Sequence, residues 1–262
     1  MSRDILESVL KNEFEVYFQP QVDEKMELVG LEALARWRRA GTEWAPPSRF
    51  IPIAEESGSI IALGNWIFSK ACHSMRSFQT DFFTNDISLS VNFSTRQLES
   101  SRLPGFIGGL LAKADLPPWR LTVEITESRV VENFEAIVAC LHELRSMGIR
   151  VALDDFGVGH SSLSRLAELP VDIIKIDARF TRNLPRPSAC LMFDGIVKIA
   201  RDFKLNIVVE GVETWEQRNF LLQYAPLSLQ GYLLGKPMGL ETLKEFLTKD
   251  EMTVHPESNY NY

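Results

Sequence analysis

The sequence predicts a single α/β domain built as a modified (β/α)8 TIM-like barrel, and three observations indicate this fold class. Short β-rich segments bounded by turn residues recur along the chain, at 14–22, 28–37, 87–93, 121–126, 150–155, 172–176, 206–210 and 227–233. Helical patterns separate most of these segments, which favours parallel pairing of the strands. Eight strands in a chain of 262 residues are typical of one barrel rather than of two domains.

The first two strands are expected to break the parallel pattern. Only residues 23–27 separate them, and parallel strands need a crossover of a dozen or more residues. The sequence therefore predicts an antiparallel hairpin at the start of the barrel.

The clearest helical pattern covers 129–147, where apolar residues share one face and Gly148 marks the end. Further helices are predicted near 65–80, 189–204 and 214–224, and Thr214 and Gln217 have capping-box spacing at the start of the last one. No linker or repeat interrupts this series. We therefore predict one domain over residues 1–248, followed by a loose polar tail over 249–262.

The composition is that of an ordinary globular protein, with 45% hydrophobic and 24% charged residues. No run reaches the ~20 apolar residues that cross a bilayer, and the N-terminus does not begin with an apolar signal segment. These features predict a cytoplasmic protein with no membrane span. The net charge of -7 argues against binding to nucleic acid, although it leaves room for a small phosphate ligand held through cations.

Polar residues recur at the ends of the predicted strands, where a barrel of this kind builds its active site. They are Gln19, Glu32, Arg36, Asn92, Glu124, Asp154, Asp155, Lys175, Glu210 and Gln230. A single carboxylate near a strand end is more often exposed or salt-bridged than catalytic, and Asp154-Asp155 alone would also fit a turn or a helix cap. Recurrence at equivalent points of separate strands instead indicates side chains that converge on one mouth.

A mouth with several carboxylates predicts bound cations, because clustered negative charges repel one another. Oxygen ligands from Asp, Glu and Asn suit hard ions such as Mg²⁺ or Mn²⁺ rather than zinc. Two such ions about 4 Å apart can clamp the attacking and leaving oxygens of a phosphodiester. A carbohydrate-active barrel with two catalytic carboxylates is the poorer alternative, since it does not explain Asn92, Lys175 and the surplus of acids.

Lys175 lies in the apolar segment Ile173–Asp177, where an unpaired buried charge would be costly. Two interpretations remain open for this lysine. It either takes part in catalysis or forms a salt bridge with Asp154, Asp155 or Glu210.

Residues 10–248 contain a series of ordered motifs. They are Phe18-Gln19-Pro20, Glu32-Ala33-Leu34-Ala35-Arg36-Trp37, Phe50-Ile51-Pro52 with Ala54-Glu55-Glu56, Asn92-Phe93-Ser94 with Gln97-Leu98, Glu124-Ile125-Thr126-Glu127, Asp154-Asp155-Phe156-Gly157, Lys175-Ile176-Asp177, Glu210-Gly211-Val212-Glu213-Thr214 and Gln230-Gly231-Tyr232. Together these motifs resemble the EAL-domain family of cyclic di-GMP phosphodiesterases. The resemblance implies a barrel with an antiparallel first strand, two Mg²⁺ or Mn²⁺ ions, and hydrolysis of cyclic di-GMP to linear pGpG.

The resemblance also implies a role for each matched residue. Ligands of the first metal are Glu32, Asn92, Glu124 and Asp154, and ligands of the second are Asp155 and Glu210, with Asp154 able to bridge. Lys175 would orient the attacking water, Gln230 would secure the site around Glu210, and Gln19, Leu34 and Arg36, together with Gln230, would contact the substrate. Glu127 and Glu213 correspond to supporting carboxylates, of which Glu127 braces the loop after Asp155 as part of the catalytic set.

The chain departs from the family pattern in the loop after Asp155. Val158 stands where the family usually has Thr or Ala, and His160 stands where it has Tyr or Phe. A homodimer formed partly through this loop and the following helix is implied by the resemblance. The alternative function is a non-hydrolysing receptor or interaction module that binds cyclic di-GMP, but such relatives generally lack one or more metal ligands, and this chain has the full set.

Overall fold

A computed structural model describes residues 2–38, 44–82, 87–126, 133–157 and 163–248 of the protein. The strands are β1 (Phe14–Val22), β2 (Leu28–Arg38), β3 (Trp44–Ala45), β4 (Ser88–Asn92), β5 (Leu121–Thr126), β6 (Arg150–Phe156), β7 (Ile173–Ile176), β8 (Asn206–Val209) and β9 (Ser228–Gln230). All eight predicted strands are present within one or two residues of their expected ends, except that β9 is shorter than the predicted 227–233. The short β3 was not predicted.

Eight of these strands close into a barrel. The order β1-β9-β8-β7-β6-β5-β4-β2 ends where it began, because β1 also pairs with β2, and β3 adds to the outer edge of β2. From β2 through β4 to β9 every pairing around the barrel is parallel. The predicted α/β barrel is therefore confirmed.

The antiparallel first strand is confirmed as well. The pairing of β1 with β2 runs from Phe14↔Trp37 to Val22↔Leu28, and β1 is also antiparallel to β9. The connection of only a few residues between β1 and β2 is too short for a parallel crossover. As a result, Gln19 of β1 lies directly opposite Glu32 of β2.

Helices surround the barrel, and the described ones are α1 (Ser2–Leu10), α2 (Pro47–Glu56), α3 (Ile60–Phe82), α4 (Thr95–Leu98), α5 (Leu103–Ala114), α6 (Phe134–Ser146), α7 (Leu163–Glu168), α8 (Ala178–Thr181), α9 (Pro187–Asp202), α10 (Trp215–Leu221) and α11 (Leu240–Thr248). The predicted helices correspond to α3, α6, α9 and α10. The predicted start of α6 at 129 lies outside the described residues. In α6 the fully buried Ile137, Leu141 and Leu144 form the stripe that faces the strands.

The prediction missed α5 because its sequence has low helix propensity. Pro104, Gly105, Gly108 and Gly109 all lie within it, and glycine costs about 1 kcal/mol relative to alanine in a helix. Ile107 is nevertheless fully buried in the main apolar core, so tertiary packing outweighs local propensity.

The main apolar core lies between the strands and the helices, and the barrel interior is lined differently. Ala152, Ile173 and Val208 form a small apolar cluster of their own inside the barrel. Together with Ser90 and Thr122 they line an internal cavity of about 170 Å³. Small and polar side chains thus replace part of the bulky filling that barrel interiors usually have.

Two further expectations concern a membrane span and the C-terminal boundary of the domain. Among the described residues, no helix is long and apolar enough to cross a membrane. The predicted domain boundary at residue 248 stays a prediction, since 249–262 lie outside the described part of the chain.

Candidate active site

Strand alternation delivers the predicted site residues to one mouth of the barrel. Successive side chains of a strand point to opposite faces, so a residue two positions after an interior one also points inward. Asn92, Glu124, Asp154, Lys175 and Glu210 each follow an interior residue by two positions, namely Ser90, Thr122, Ala152, Ile173 and Val208. These site residues come from five neighbouring parallel strands or their immediate ends, so they gather at the carboxyl end of the barrel.

Lys175 lies at the centre of this group. Its Nζ is 2.7 Å from Glu124, 2.8 Å from Glu210, and 3.4 Å from both Glu32 and Asp154. The lysine side chain is only 1% exposed. The predicted salt bridges to Asp154 and Glu210 are therefore present, together with two to Glu32 and Glu124 that the sequence did not indicate.

Amide side chains also hold Glu32, in addition to its ion pair with Lys175. Gln230 Nε2 donates to Glu32 Oε2 at 2.6 Å and to Gln19 Oε1 at 3.1 Å. Asn92 Nδ2 donates to Glu32 Oε1 at 2.9 Å, and Gln21 Nε2 donates to Gln230 Oε1 at 2.8 Å. The predicted contribution of Gln230 to the site is thus made through Glu32 and Gln19 in this structure.

A bulge in β6 changes the direction of its last two acidic residues. The register with β7 breaks between Leu153 and Phe156, and Asp155 has a left-handed backbone with φ 57°. Asp155 lies close enough to Asp154 and Asp177 for both to raise its pKa. Adjacent aspartates, which would point to opposite faces of a regular strand, are therefore both placed near the mouth.

The electrostatics of the cluster show more negative charge than one lysine can balance. Burial raises the pKa of Glu210 to about 7, and repulsion from Asp154 and Glu32 adds to that shift. Burial and the neighbouring Asp154 likewise raise the pKa of Asp155 to about 6, while burial raises that of Glu124 well above its usual value. The pKa of Lys175 is raised by the surrounding carboxylates against the opposing effect of burial.

Glu32 is the exception within the cluster. Burial acts to raise its pKa, but the charge of Lys175 and the hydrogen bonds from Gln230 and Asn92 lower it overall. Glu32 is therefore the buried carboxylate best stabilised in its charged form.

The donor set fits hard divalent cations. Five carboxylates, those of Glu32, Glu124, Asp154, Asp155 and Glu210, share one buried ammonium group, which leaves net negative charge for cations to neutralise. All of them, and the amide oxygen of Asn92, are oxygen ligands of the kind that Mg²⁺ and Mn²⁺ prefer. Among the described residues no group of three or more acidic, histidine or cysteine side chains is arranged to hold a metal ion, and four carboxylates of the cluster are instead paired with Lys175 Nζ.

Two cavities flank the cluster at the mouth. One of about 350 Å³ is lined by Gln19, Glu210 and Tyr232, and the other, of about 380 Å³, by Asn92 and Asp155. Leu34 lines both, so the predicted substrate-contact positions Gln19, Leu34 and Gln230 all border these spaces.

Arg36, the remaining predicted contact, lies beside the cavities. Its Nη1 donates to the carbonyl of Ala35 at 2.9 Å, and its guanidinium carbon is 5.5 Å from the centroid of the Tyr17 ring.

Two further carboxylates, Glu127 and Glu213, were predicted as supporting residues. Glu127 lies outside the described residues, as do Val158 and His160. Glu213 is exposed and lines the smaller mouth cavity, and its backbone N–H donates to Gln217.

Three residues at the mouth were missed as functional candidates. Tyr232 lines one cavity, but the sequence analysis noted only its motif and assigned it no role. Asp177 neighbours Asp155, but only Lys175 of its segment was assigned a role. Gln217 was noticed only for its capping-box spacing. The motif or spacing of each residue was visible in the sequence. The residues that they contact in the structure, such as Asp155 for Asp177 and Thr181 for Gln217, lie far away in sequence.

Comparison with known proteins gives consistent matches over nearly the whole chain. The profile of the family described as "EAL domain" matches residues 2–237. The oxygen sensor protein DosP of Escherichia coli is 37% identical over 244 residues, which cover 92% of this chain and 30% of that protein. The bifunctional diguanylate cyclase/cyclic di-GMP phosphodiesterase MucR of Pseudomonas aeruginosa is 35% identical over 242 residues, 92% of this chain and 35% of MucR.

A solved structure of the PaMucR phosphodiesterase in complex with c-di-GMP has the same fold. It superposes with a TM-score of 0.85 at 34% identity and covers 92% of this chain and 98% of that one. The chain spans about a third of the length of the curated relatives that it matches.

Proposed function

Because the chain belongs to the EAL-domain family, we propose that it is a metal-dependent phosphodiesterase that hydrolyses cyclic di-GMP to linear pGpG. MucR carries this phosphodiesterase activity in its name, and the PaMucR phosphodiesterase was solved with c-di-GMP bound. The observation that carries the proposal is the convergence of Glu32, Glu124, Asp154 and Glu210 on Lys175 at the carboxyl end of the barrel.

The shape of the mouth supports a dinucleotide substrate. The cavities of about 350 and 380 Å³ lie on either side of Leu34, with the carboxylate cluster beside both. A cyclic dinucleotide has two bases to place and a phosphodiester to present between them. Leu34 would then contact the ligand between the two cavities, while Gln19 and Arg36 would bind its polar groups.

The resemblance to the family implies which residues would hold the metals. Glu32, Asn92, Glu124 and Asp154 would hold one Mg²⁺ or Mn²⁺ ion, and Asp155 and Glu210 would hold the other, with Asp154 shared. When bound, two such ions polarise the phosphodiester and stabilise the charge that develops on its oxygens.

The chain's own residues then position the reactants. Lys175 would orient the attacking water, and its ammonium charge would stabilise the phosphoryl oxygens as the charge on them grows. The oxygen of the water bonds to phosphorus while the bond to the 3′ oxygen breaks. The water loses one proton and the 3′ oxygen gains one, so the products are a 5′-phosphate and a 3′-hydroxyl. Glu210 is 20% exposed, more than the other carboxylates that contact Lys175, and would therefore face the incoming water.

Incubation of the purified chain with cyclic di-GMP, followed by chromatographic separation of the nucleotides, tests this function. We expect pGpG with added Mg²⁺ or Mn²⁺ and no product in EDTA. Undiminished turnover in EDTA would refute the metal dependence. Binding of cyclic di-GMP without cleavage in either metal would instead favour the receptor function.

Two substitutions test the residue assignments within this function. Glu32→Ala should abolish cleavage, because it removes a ligand of the first metal. Lys175→Ala should lower kcat by orders of magnitude while the affinity for cyclic di-GMP changes by about tenfold or less, since the lysine acts mainly in the transition state. Lys11→Ala is the matched control, because Lys11 is 63% exposed and pairs only with Glu7 in the described structure. A parental rate in the Lys175 variant would overturn its catalytic role.

A further inference from the structure

A buried glutamine, Gln217 of α10, uses its whole carboxamide in hydrogen bonds. Its Oε1 accepts from the backbone N–H groups of Glu213 at 2.8 Å and Thr214 at 3.0 Å. Its Nε2 donates to the backbone carbonyls of Thr181 at 3.2 Å and Arg182 at 3.4 Å. Gln217 is 5% exposed, so these contacts are made away from bulk water.

These four contacts join two segments of the active site. Residues 210–214 follow β8 and carry Glu210, whereas Thr181 and Arg182 end the helix that follows β7, the strand of Lys175. Lys175 Nζ and Glu210 Oε1 are 2.8 Å apart. Gln217 therefore links the segment that supplies the carboxylate to the segment that supplies the ammonium group.

Helix capping alone does not account for this arrangement. In a capping box, the side chain of the third helical residue has only to accept a hydrogen bond from the backbone N–H of the N-cap residue. Glutamate does so as well as glutamine. Thr214 and Gln217 form that box in α10. The two bonds from Nε2 go to a different helix, and only glutamine can donate them, since an ionised glutamate has no donor.

The backbone of the segment after β8 is also restricted at Gly211 by its close approach to α8. Gly211 has φ 69°, and a Cβ there would clash with Ala178, the first residue of α8. The segment after β8 thus contacts the segment after β7 at two points. One is Gly211, which lies against Ala178, and the other is the set of hydrogen bonds made by Gln217. A shift at the bridge would move the backbone from which Glu210 projects.

We propose that Gln217 is a positioning residue that fixes the Glu210 segment at its working distance from Lys175. The proposal rests on the proposed function only in its kinetic readout. Cation binding and the geometry of the metal-free protein test it independently of any turnover.

Two substitutions separate the bridge from the cap. Gln217→Met keeps the length of the side chain and removes both the accepted and the donated bonds. Gln217→Glu keeps the acceptor for Glu213 and Thr214 but loses the donors to Thr181 and Arg182. Gln223→Glu is the control for the added charge, because Gln223 is exposed in the next turn and, within the described part of the chain, donates only to the nearby carbonyl of Phe220.

Three measurements on the 262-residue chain decide between the two roles: calorimetric titration with Mn²⁺ alone, kcat and KM for cyclic di-GMP, and a crystal structure of the metal-free variant. We expect both Gln217 variants to bind Mn²⁺ at least tenfold more weakly and to lose at least tenfold in kcat, with KM within threefold. A weaker Mn²⁺ affinity in Gln217→Glu is especially informative, since added negative charge alone would strengthen it. The crystal structure should show Glu210 displaced from Lys175, and Gln223→Glu should match the parent throughout.

Parental Mn²⁺ affinity, kcat and Glu210 position in Gln217→Glu, with a lower melting temperature in Gln217→Met, would overturn the proposal and leave Gln217 as a helix cap. Where Gln217→Glu does not fold, the same measurements on Gln217→Met decide. If the parent binds Mn²⁺ but does not cleave cyclic di-GMP, the proposed function fails, while the Mn²⁺ and crystallographic results still test the bridge.

Discussion

Replacing Lys175 by methionine should destabilise the metal-free protein strongly and make its stability depend on pH. The substitution keeps an unbranched side chain one atom shorter and removes the charge that Glu32, Glu124, Asp154 and Glu210 surround. Glu124 is only 1% exposed and Glu32 only 6%, so water cannot replace the lost partner. Breaking a buried ion pair by removing one member typically costs about 3–5 kcal/mol.

Protonation of the carboxylates limits this cost. A glutamate that must take up a proton on folding costs about 1.4 kcal/mol for each pH unit above its unfolded pKa of about 4.3. That gives about 5 kcal/mol for one carboxylate at about pH 8 and about 2 kcal/mol at about pH 6. In the variant the folded pKa of Glu32, which Lys175 helps to lower in the parent, lies above its unfolded value, so stability is fully present at low pH and is lost as pH rises.

Urea denaturation in EDTA, followed by circular dichroism at several pH values, measures this effect. We expect Lys175→Met to lose about 3–5 kcal/mol at about pH 8 and about 2 kcal/mol at about pH 6, relative to the parent. Lys11→Met, at an exposed pair, should stay within about 0.5 kcal/mol. Equal stability of parent and Lys175→Met at about pH 8, with a flat pH profile, would refute the argument that this lysine neutralises the cluster.

Three further outcomes are expected. Asp172→Ala should lower the free energy of unfolding by about 1–3 kcal/mol in urea titrations, because its carboxylate accepts from the Arg145 side chain and from the Val151 backbone N–H. Gly211→Ala should reduce both kcat and melting temperature, since its φ is 69° and a Cβ would clash with Ala178, and parental kinetics would contradict this. Light scattering should give a homodimer of twice 29.8 kDa, and a fully active monomer at high concentration would count against it.

The strands were predictable because each carries a local signal. A β-rich segment with turn residues at both ends indicates its own position, and alternation within it indicates which side chains face inward. Glu124 and Lys175 could be placed at one mouth on that basis alone, and the structure brings them to 2.7 Å. The antiparallel start followed from a single distance along the chain, the five residues between the first two strands.

Elements whose stability comes from packing were not predictable in the same way. The helix at Leu103–Ala114 contains three glycines and a proline, and nothing local indicates that Ile107 will be fully buried in the core. The bulge at Asp154 and Asp155 was hidden for a related reason. Its left-handed residue is an aspartate rather than a glycine, so the sequence gives no strong sign that the strand changes direction there.

Only part of the role of Gln217 could be predicted from the residues near it in sequence. Its spacing from Thr214 correctly indicates a helix start, since both capping bonds lie within a few residues. The other half of its carboxamide bonds to Thr181, 36 residues earlier, and that contact exists only because the barrel places the segments after β7 and β8 side by side. Because a buried amide must satisfy its donors as well as its acceptors, the choice of glutamine over glutamate at this position depends on the closed barrel rather than on the helix to which it belongs.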